Sequence, residues 1–258
     1  MLDIFEINYD RMIGGEVRKA YVYTPEGFEE DRRFPVLYMF DGHNVFLDEE
    51  ATYGKSWGML EYLEENHVPL IVAGIECSHH AEDEPCGGRL SEYSPFDFTD
   101  PWIHRKIKGR GRITMEIFTE EFKPLIDENY PTLSDREHTF IAGSSMGGLM
   151  SVYALMEYNH IFSKAAGLSP SFGFDPLRSV RMVKNARIDR NHTTLYMDYG
   201  QNEFRRIRTR ETYGDVCKAL MRKGVLLASR IVPDGTHSEA SWEKQIPYFM
   251  QVFFYEEN

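Results

Sequence analysis

The chain has 258 residues, long enough for one large α/β domain, and its 42% hydrophobic share is typical of a globular protein with a sizeable core. Its formal net charge of −12 argues against nucleic acid as a partner, because phosphate binding needs a basic surface. No uninterrupted apolar run reaches the roughly 20 residues of a membrane-spanning helix, so no membrane partner is expected.

Strand and helix patterns alternate along most of the chain. The stretch 34–40 is almost continuously apolar, which is typical of a strand covered on both faces. The alternation predicts one α/β domain over residues 1–258, with a mostly parallel central sheet of about eight strands and helices on both faces, entered through an antiparallel N-terminal pair. The predicted strands are 4–8, 17–24, 34–40, 70–75, 139–142, 165–168, 193–199 and 225–232, and the predicted helices are 56–65, 113–130, one from 146 onward, 209–222 and a final one across 242–253.

A long irregular stretch, 76–111, follows the strand predicted at 70–75 and is rich in glycine, proline, histidine and acidic residues. Loops of this length in a compact domain are usually functional, and loops at the carboxyl edge of a sheet shape pockets. We therefore expect this stretch to be the active-site loop region that sets substrate choice. Its aromatic side chains either line an acyl or aryl pocket or pack the loop itself. They are Tyr93, Phe96, Phe98 and Trp102.

Charged residues of the same stretch each admit two interpretations. Arg89 either pairs with an anionic group of the substrate or forms a structural salt bridge with Glu92, and the salt bridge is favoured. The histidines and acids of 79–84 resemble a metal-ligand set, but ordinary loop composition explains them as well. The short basic run 106–112 is interpreted as a solvated loop. No metal site is therefore expected.

The segment 143–147 reads Gly-Ser-Ser-Met-Gly and fits the pattern G-x-S-x-G. A short apolar strand precedes it and a helical pattern follows, which is the context of a nucleophile elbow. The sharp turn holds the serine hydroxyl above the sheet and requires glycine on both sides. Ser145 also lies at a helix N-terminus, where backbone N–H groups favour a developing oxyanion. Ser145 is therefore the predicted nucleophile.

A serine nucleophile needs an adjacent base, usually histidine, because the ordinary pKa of histidine lies near working pH. In this kind of fold the acid and the histidine follow the serine in the chain, on loops after later strands. His237 follows the last predicted strand in a Pro-Asp-Gly-Thr-His turn. The other histidines downstream of Ser145 lie at a helix end or before a strand. His237 is therefore the predicted base.

Two carboxylates compete for the role of the acid that orients the histidine. Asp198 lies within a predicted strand, whereas Glu203 follows that strand in the turn 200–203. A carboxylate has to leave the strand end to reach a histidine above the sheet, which favours Glu203 and keeps Asp198 as the alternative. Asp175 and Asp234 are weaker candidates.

An oxyanion hole needs two N–H donors. One is expected from the backbone of Met146, the residue after the nucleophile. The other is expected from the loop after the strand 34–40, which reads Asp-Gly-His-Asn and makes His43 the predicted second donor. An ordinary turn explains this loop equally well.

Four segments in this order resemble the putative esterase family of α/β-hydrolases: 40–46 (FDGHNVF), 141–149 (IAGSSMGGL), 200–203 (GQNE) and 235–242 (GTHSEASW). Relatives in that family include enterobactin-type trilactone esterases and the feruloyl and acetyl-xylan esterases of carbohydrate esterase family one. The resemblance extends over residues 4–254 and implies the α/β-hydrolase fold. It implies Ser145 as nucleophile, His237 as base and an acid within 200–203, which supports Glu203 over Asp198.

These observations predict a serine carboxylesterase that acts on a small-molecule ester through an acyl-enzyme, without cofactor or metal. An acyltransferase with the same triad and a non-catalytic binding protein of the same fold are the alternatives. Three cysteines without a C-x-x-C pair, together with an amino terminus unlike a signal peptide, predict a cytoplasmic location. The oligomeric state is left open, a homo-oligomer included.

Overall fold

The computed structural model describes residues 1–29, 31–100, 104–190, 192–203 and 207–254. Its strands are β1 (Leu2–Ile7), β2 (Arg18–Tyr23), β3 (Val36–Met39), β4 (Ile71–Ile75), β5 (Phe98–Thr99), β6 (Lys106–Ile107), β7 (Thr139–Ser144), β8 (Lys164–Leu168), β9 (Thr194–Gly200) and β10 (Leu226–Val232). Its α-helices are α1 (Met59–Glu65), α2 (Arg89–Glu92), α3 (Gly111–Ile117), α4 (Lys123–Asn129), α5 (Met146–Glu157), α6 (Pro176–Asn185), α7 (Ile207–Lys223), α8 (Glu239–Glu243) and α9 (Ile246–Phe253).

Within the described residues, the main sheet has eight strands in the order β1-β2-β4-β3-β7-β8-β9-β10. The pairs β1/β2 and β2/β4 are antiparallel, whereas β3/β4, β8/β9 and β9/β10 are parallel. The predicted α/β class, with a mostly parallel sheet of about eight strands entered through an antiparallel pair, is confirmed. The chain divides into two compact units, Met1–Phe140 and Ile141–Asn258, which are described in turn.

In the first unit, the apolar strand β3 ends at a left-handed turn. All four residues of β3 are buried, and Phe40 beyond it packs edge-on against Tyr93 at a ring-centroid distance of 5.1 Å. Asp41 then adopts φ 57°, a conformation that costs a residue with a Cβ about 1 kcal/mol or more. A Cβ on the next residue, Gly42, would lie 2.7 Å from the Gly74 carbonyl carbon, so the turn requires glycine there.

Arg89 stabilises this turn through a pairing that the sequence did not predict. Its Nε and Nη2 donate to the two carboxylate oxygens of Asp41 at 2.7 and 2.6 Å. Glu92, the predicted partner, instead accepts a buried hydrogen bond from Arg18 Nη1 at 2.5 Å. The structural interpretation of Arg89 holds, but the Arg89–Glu92 salt bridge is wrong. Sequence proximity favoured a neighbour three positions along, whereas the bidentate geometry requires a carboxylate facing the guanidinium.

The stretch 76–111 contains more regular structure than its composition indicated. It holds the short helix α2 and the antiparallel pair β5/β6. Tyr93 and Phe98 are buried, so they pack the first unit, whereas Phe96 is partly exposed. Trp102 lies outside the described residues.

The predicted helix 113–130 begins at Gly111 and runs through α3 and α4, joined by a π-helical turn at Phe118–Phe122. Phe118 and Phe122 are buried in this turn and contact each other edge-on at 5.8 Å. Side chains at positions i and i+4 of a helix lie on one face, which places both rings on the buried side.

The second unit begins within β7, every residue of which is buried, and α5 follows this strand after a single residue. Two features differ from the prediction. The helix α6 was not predicted; it begins with Pro176 at its first position and with the Asp175 carboxylate capping the Arg178 N–H at 3.0 Å. The final predicted helix is divided into α8 and α9 at Lys244 and Gln245.

Within the described ranges, none of the helices is both long enough and apolar enough to cross a membrane.

Candidate active site

The turn between β7 and α5 holds Ser145 in a strained conformation, with φ 58° and ψ −119°. Three backbone hydrogen bonds fix it: its N–H donates to Leu168 at 2.9 Å, and its carbonyl accepts from Leu149 at 3.1 Å and Ser171 at 3.0 Å. A Cβ on Gly143 would lie 2.8 Å from the backbone of Gly147, so the glycines of the G-x-S-x-G pattern allow the two arms of the turn to touch. The serine hydroxyl is thereby presented at the end of the strand.

Two further predicted residues are linked to Ser145 by hydrogen bonds, one directly and one through the other. His237 lies beyond β10, and its Nε2 is 2.9 Å from the Ser145 Oγ. Its Nδ1 is 2.6 Å from Oε2 of Glu203, which lies in a 3₁₀ turn (Gln201–Glu203) directly after β9. The structure therefore brings Ser145, His237 and Glu203 into one hydrogen-bonded chain.

The Glu203 carboxylate is held from its other side as well. Its Oε1 accepts the Ser169 hydroxyl at 2.6 Å and the Gly200 N–H at 2.9 Å. Burial by itself raises the pKa of this carboxyl, but the hydrogen bonds from His237 and Ser169 outweigh it, so that the pKa of Glu203 is lowered. Glu203 is therefore an anion at neutral pH.

Asp198, the alternative acid, faces the interior of the second unit. It is only 1% exposed, and it accepts the Tyr196 hydroxyl at 2.9 Å. Burial raises the pKa of Asp198 to about 7, against the hydrogen bonds that it accepts. Of the weaker candidates, Asp175 caps α6 and Asp234 lies in the turn after β10 with φ 55°.

Ser169 and Trp242 complete the surroundings of the acid and were not predicted. The Trp242 indole N–H donates to the Ser169 Oγ at 3.1 Å, and the indole ring stands edge-on to the His237 imidazole at 5.0 Å. Trp242 lies in one of the segments that carried the family resemblance. Nothing in the sequence marked Ser169 as part of the site, because a serine after a short strand is common.

Met146, the expected first oxyanion donor, is the first residue of α5. The N–H groups of the first helical turn have no acceptor within the helix, and the helix dipole makes this end partly positive. Met146 therefore offers the type of donor that an oxyanion requires.

His43, the expected second donor, lies in the first unit in a 3₁₀ turn, Gly42–Asn44. Its ring Nε2 is 3.0 Å from the Thr52 Oγ1, and burial lowers the pKa of the imidazole although Asp41 and Glu76 oppose this. The ring is therefore neutral at pH 7. The role of the His43 backbone N–H as a donor stays a prediction.

Two groups of side chains among the described residues have the donor types of a metal site. One comprises Asp41, His43 and Cys77; here the carboxylate is already engaged by Arg89. The other comprises His80, Glu84 and Cys86, where the His80 Nδ1 is 2.6 Å from the Glu84 carboxylate. Ion pairs thus occupy a ligand atom in each group, and catalysis without metal stays a prediction.

Known proteins share part of the sequence of this chain, and solved structures share its fold. The chain is 25% identical to "Uncharacterized protein YbbA" of Bacillus subtilis (strain 168) over 197 residues, which cover 73% of this chain and 70% of that protein. The fold is similar to that of an IroE-like serine hydrolase from Shewanella oneidensis, with a TM-score of 0.74 and 18% identity over 98% of this chain and 79% of that one. An S-formylglutathione hydrolase from Agrobacterium tumefaciens gives a TM-score of 0.70 and 16% identity over 98% and 94%.

A family model described as "Putative esterase" matches residues 12–250. This range includes the serine turn, the acid and the histidine described above. The chain therefore belongs to this family of esterases.

Proposed function

We propose that this esterase hydrolyses carboxylic esters of a small acyl or aryl acid through an acyl-enzyme, with Ser145 as nucleophile, His237 as base and Glu203 as acid. The observation that carries the proposal is the pair of contacts made by the His237 ring, 2.9 Å to the serine oxygen and 2.6 Å to the carboxylate. Both lie within the reach that nucleophile, base and orienting acid require.

In the acylation step, the Ser145 Oγ attacks the ester carbonyl while the His237 Nε2 accepts its proton. The Glu203 anion accepts the Nδ1–H, which keeps Nε2 free as the proton acceptor and stabilises the imidazolium that forms. The tetrahedral intermediate collapses, the carbon–oxygen bond to the alcohol breaks, and His237 returns the proton to the leaving oxygen. The products are the free alcohol and an ester of Ser145.

In the deacylation step, water attacks the acyl-enzyme and gives up a proton to His237. Collapse of the second tetrahedral intermediate releases the acid and restores the serine hydroxyl. The Met146 N–H, at the start of α5, stabilises the oxyanion in both steps. No cofactor takes part, and the substrate is a small molecule.

The stretch 76–111 sets substrate choice in this proposal. It follows β4 at the carboxyl end of the strand, which is where α/β sheets place their ligand-binding loops. The three cysteines are free thiols, which supports a cytoplasmic location.

The test is the release of p-nitrophenol from acetyl, butyryl and octanoyl esters. The native protein should hydrolyse these esters. Ser145→Ala should lower kcat/KM by about a thousand-fold or more, because the attacking oxygen is lost. Ser171→Ala is the matched control, since it removes a neighbouring hydroxyl whose Oγ lies 3.4 Å from that of Ser145. The control should retain activity. An undiminished rate in Ser145→Ala would contradict the proposal.

A further inference from the structure

The first unit contains a cavity of about 620 Å³, a size suited to a small-molecule ligand. Two walls line most of it, the loop at residues 82–87 and the segment at residues 105–113, together with Ser91 of α2. The second wall includes the basic run that the sequence analysis interpreted as a solvated loop.

Positive charge predominates in the lining of this cavity. Among its described lining residues, five are cationic and two are carboxylates. The cations are Arg105, Lys106, Lys108, Arg110 and Arg112, and the carboxylates are Glu82 and Glu84. In a chain with a net charge of −12, such a cluster is a local reversal of sign.

Both carboxylates already bind groups of their own wall. Glu82 accepts the N–H groups of Gly88 at 3.2 Å and Leu90 at 2.5 Å. Glu84 accepts the Ala81 N–H at 2.9 Å and bonds to the His80 Nδ1 at 2.6 Å. These acids therefore organise the loop, and among the described residues neither forms an ion pair with the facing cations. Arg112 pairs with Glu116, which is not part of the lining, at 2.8 Å.

Two arginines reach across to the opposite wall and are anchored there by backbone oxygens. The Arg105 Nη2 donates to the Asp83 carbonyl and the Arg110 Nη1 to the Cys86 carbonyl, each at 3.2 Å. A guanidinium carries five N–H donors in a planar fork, so each arginine keeps donors for a ligand after this bond.

Lys106 and Lys108 add positive charge beside these two guanidinium groups. Both are exposed, and within the described part of the chain neither ammonium forms a hydrogen bond or an ion pair. Backbone bonds nevertheless hold their segment in place: the Ser91 hydroxyl donates to the Lys108 carbonyl at 2.6 Å, and the Gly109 N–H donates to Asp97 at 2.9 Å.

We propose that this cavity binds a small multivalent oxyanion, a phosphorylated or polycarboxylic small molecule. Anchored guanidiniums match the paired oxygens of phosphate and carboxylate, and charge-assisted hydrogen bonds are about twice as strong as neutral ones. A concave cationic surface also concentrates anions from solution. This proposal does not rest on the proposed ester hydrolysis, although most of the cavity is lined by the stretch 76–111, which is also proposed to set substrate choice.

The test is isothermal titration calorimetry of the full chain with two probes, inorganic pyrophosphate and citrate. Saturable binding at one site is expected, and it should weaken as the salt concentration rises. Lys106→Gln combined with Lys108→Gln should weaken binding about tenfold or more, since two charge-assisted contacts are lost. The matched control is Lys184→Gln combined with Lys244→Gln, which removes two exposed lysines of the second unit and should leave the affinity unchanged.

The outcomes separate cleanly. Binding of pyrophosphate alone assigns the site to phosphorylated ligands, binding of citrate alone assigns it to polycarboxylates, and either result supports the proposal. The absence of saturable binding to both probes overturns it. So does equal weakening in the two double variants, because the effect would then follow net charge and not this cavity. Thermal unfolding of each variant verifies that its fold is intact.

Discussion

At the scale of single residues, the direction of the hydrogen bonds around Glu203 is determined by a group that can donate but cannot accept. The Trp242 indole N–H can only donate, and it donates to the Ser169 Oγ. The single hydroxyl proton of Ser169 is then directed to the Glu203 carboxylate, at 2.6 Å. Ser169 in turn adopts φ 45°, a conformation that a residue with a Cβ rarely occupies. We infer that this strained serine orients the acid of the proposed triad.

Ser169→Ala removes a hydrogen bond to a charged acceptor and should lower kcat/KM about tenfold or more. Trp242→Phe keeps an aromatic ring beside His237 but removes the N–H, so a loss of only a few-fold is expected. If the two residues act as one chain, the double variant should be no worse than Ser169→Ala alone. A double-mutant cycle on kcat/KM measures this, and additive losses would show that the two residues act separately.

At the scale of elements, the turns that follow β9 and β10 are joined by their backbones. The strands pair in parallel up to Gly200 and Val232. Beyond them, the Asn202 N–H donates to the Gly235 carbonyl at 3.1 Å, and the Asn202 side chain donates to the Asp234 carbonyl at 3.1 Å. The acid turn and the histidine turn are therefore positioned against each other by main-chain contacts.

This contact predicts a specific effect of Gly200→Ala. A Cβ at this position would lie 2.4 Å from the Gly235 carbonyl oxygen and 2.8 Å from the Glu203 Oε1, so the two turns have to separate. We expect a loss of about 1–3 kcal/mol in the free energy of unfolding and of about tenfold or more in kcat/KM. Urea unfolding and steady-state kinetics measure the two effects.

Gly214→Ala is the control for that prediction. Gly214 lies within α7, and its added Cβ meets nothing within 4 Å. Alanine is the better helix former by about 1 kcal/mol, so this variant should be more stable than the native protein and equally active. A Gly200→Ala protein as stable and active as the native one would show that the close approach of the two turns is dispensable.

Helix boundaries illustrate which elements the sequence predicts well. Elements with a strong apolar pattern were predicted well: β3 lies within a few residues of its predicted bounds, and α5 begins at the predicted residue. The helix α6 has only two buried residues, Ser179 and Val183, so its apolar pattern is weak. Its real signal is local: a capping Asp175 directly before Pro176.

For the whole molecule, the succession of strands and helices along the chain and the residues of the candidate site could be predicted because each depends on local patterns. Ser145 and His237 follow strands in recognisable turns, and the fold orders them along the chain. The pairings of Arg89 with Asp41, and of Ser169 with Glu203, join residues 48 and 34 positions apart. Such contacts depend on how the chain packs, and no single stretch encodes them.

The stability of the whole molecule should depend on the protonation of buried Asp198. An unfolded chain releases this proton near pH 4, whereas burial beside Tyr196 raises the pKa in the folded protein to about 7. The stabilisation is therefore complete below about pH 4 and is lost as the pH rises through 7. Between pH 5 and pH 8 the free energy of unfolding should fall by about 2 kcal/mol from this group.

Asp198→Asn abolishes this titration, so the variant should lose less stability than the native protein between pH 5 and pH 8 in urea unfolding. Asp215→Asn, which removes an exposed carboxylate of α7, should follow the native protein, because solvent screens that charge. The same Asp198→Asn protein should keep its esterase rate, since Glu203 contacts the His237 ring. A collapse of that rate without loss of stability would assign the acid role to Asp198, and an unchanged pH dependence would show that this carboxyl is already ionised in the folded protein at pH 5.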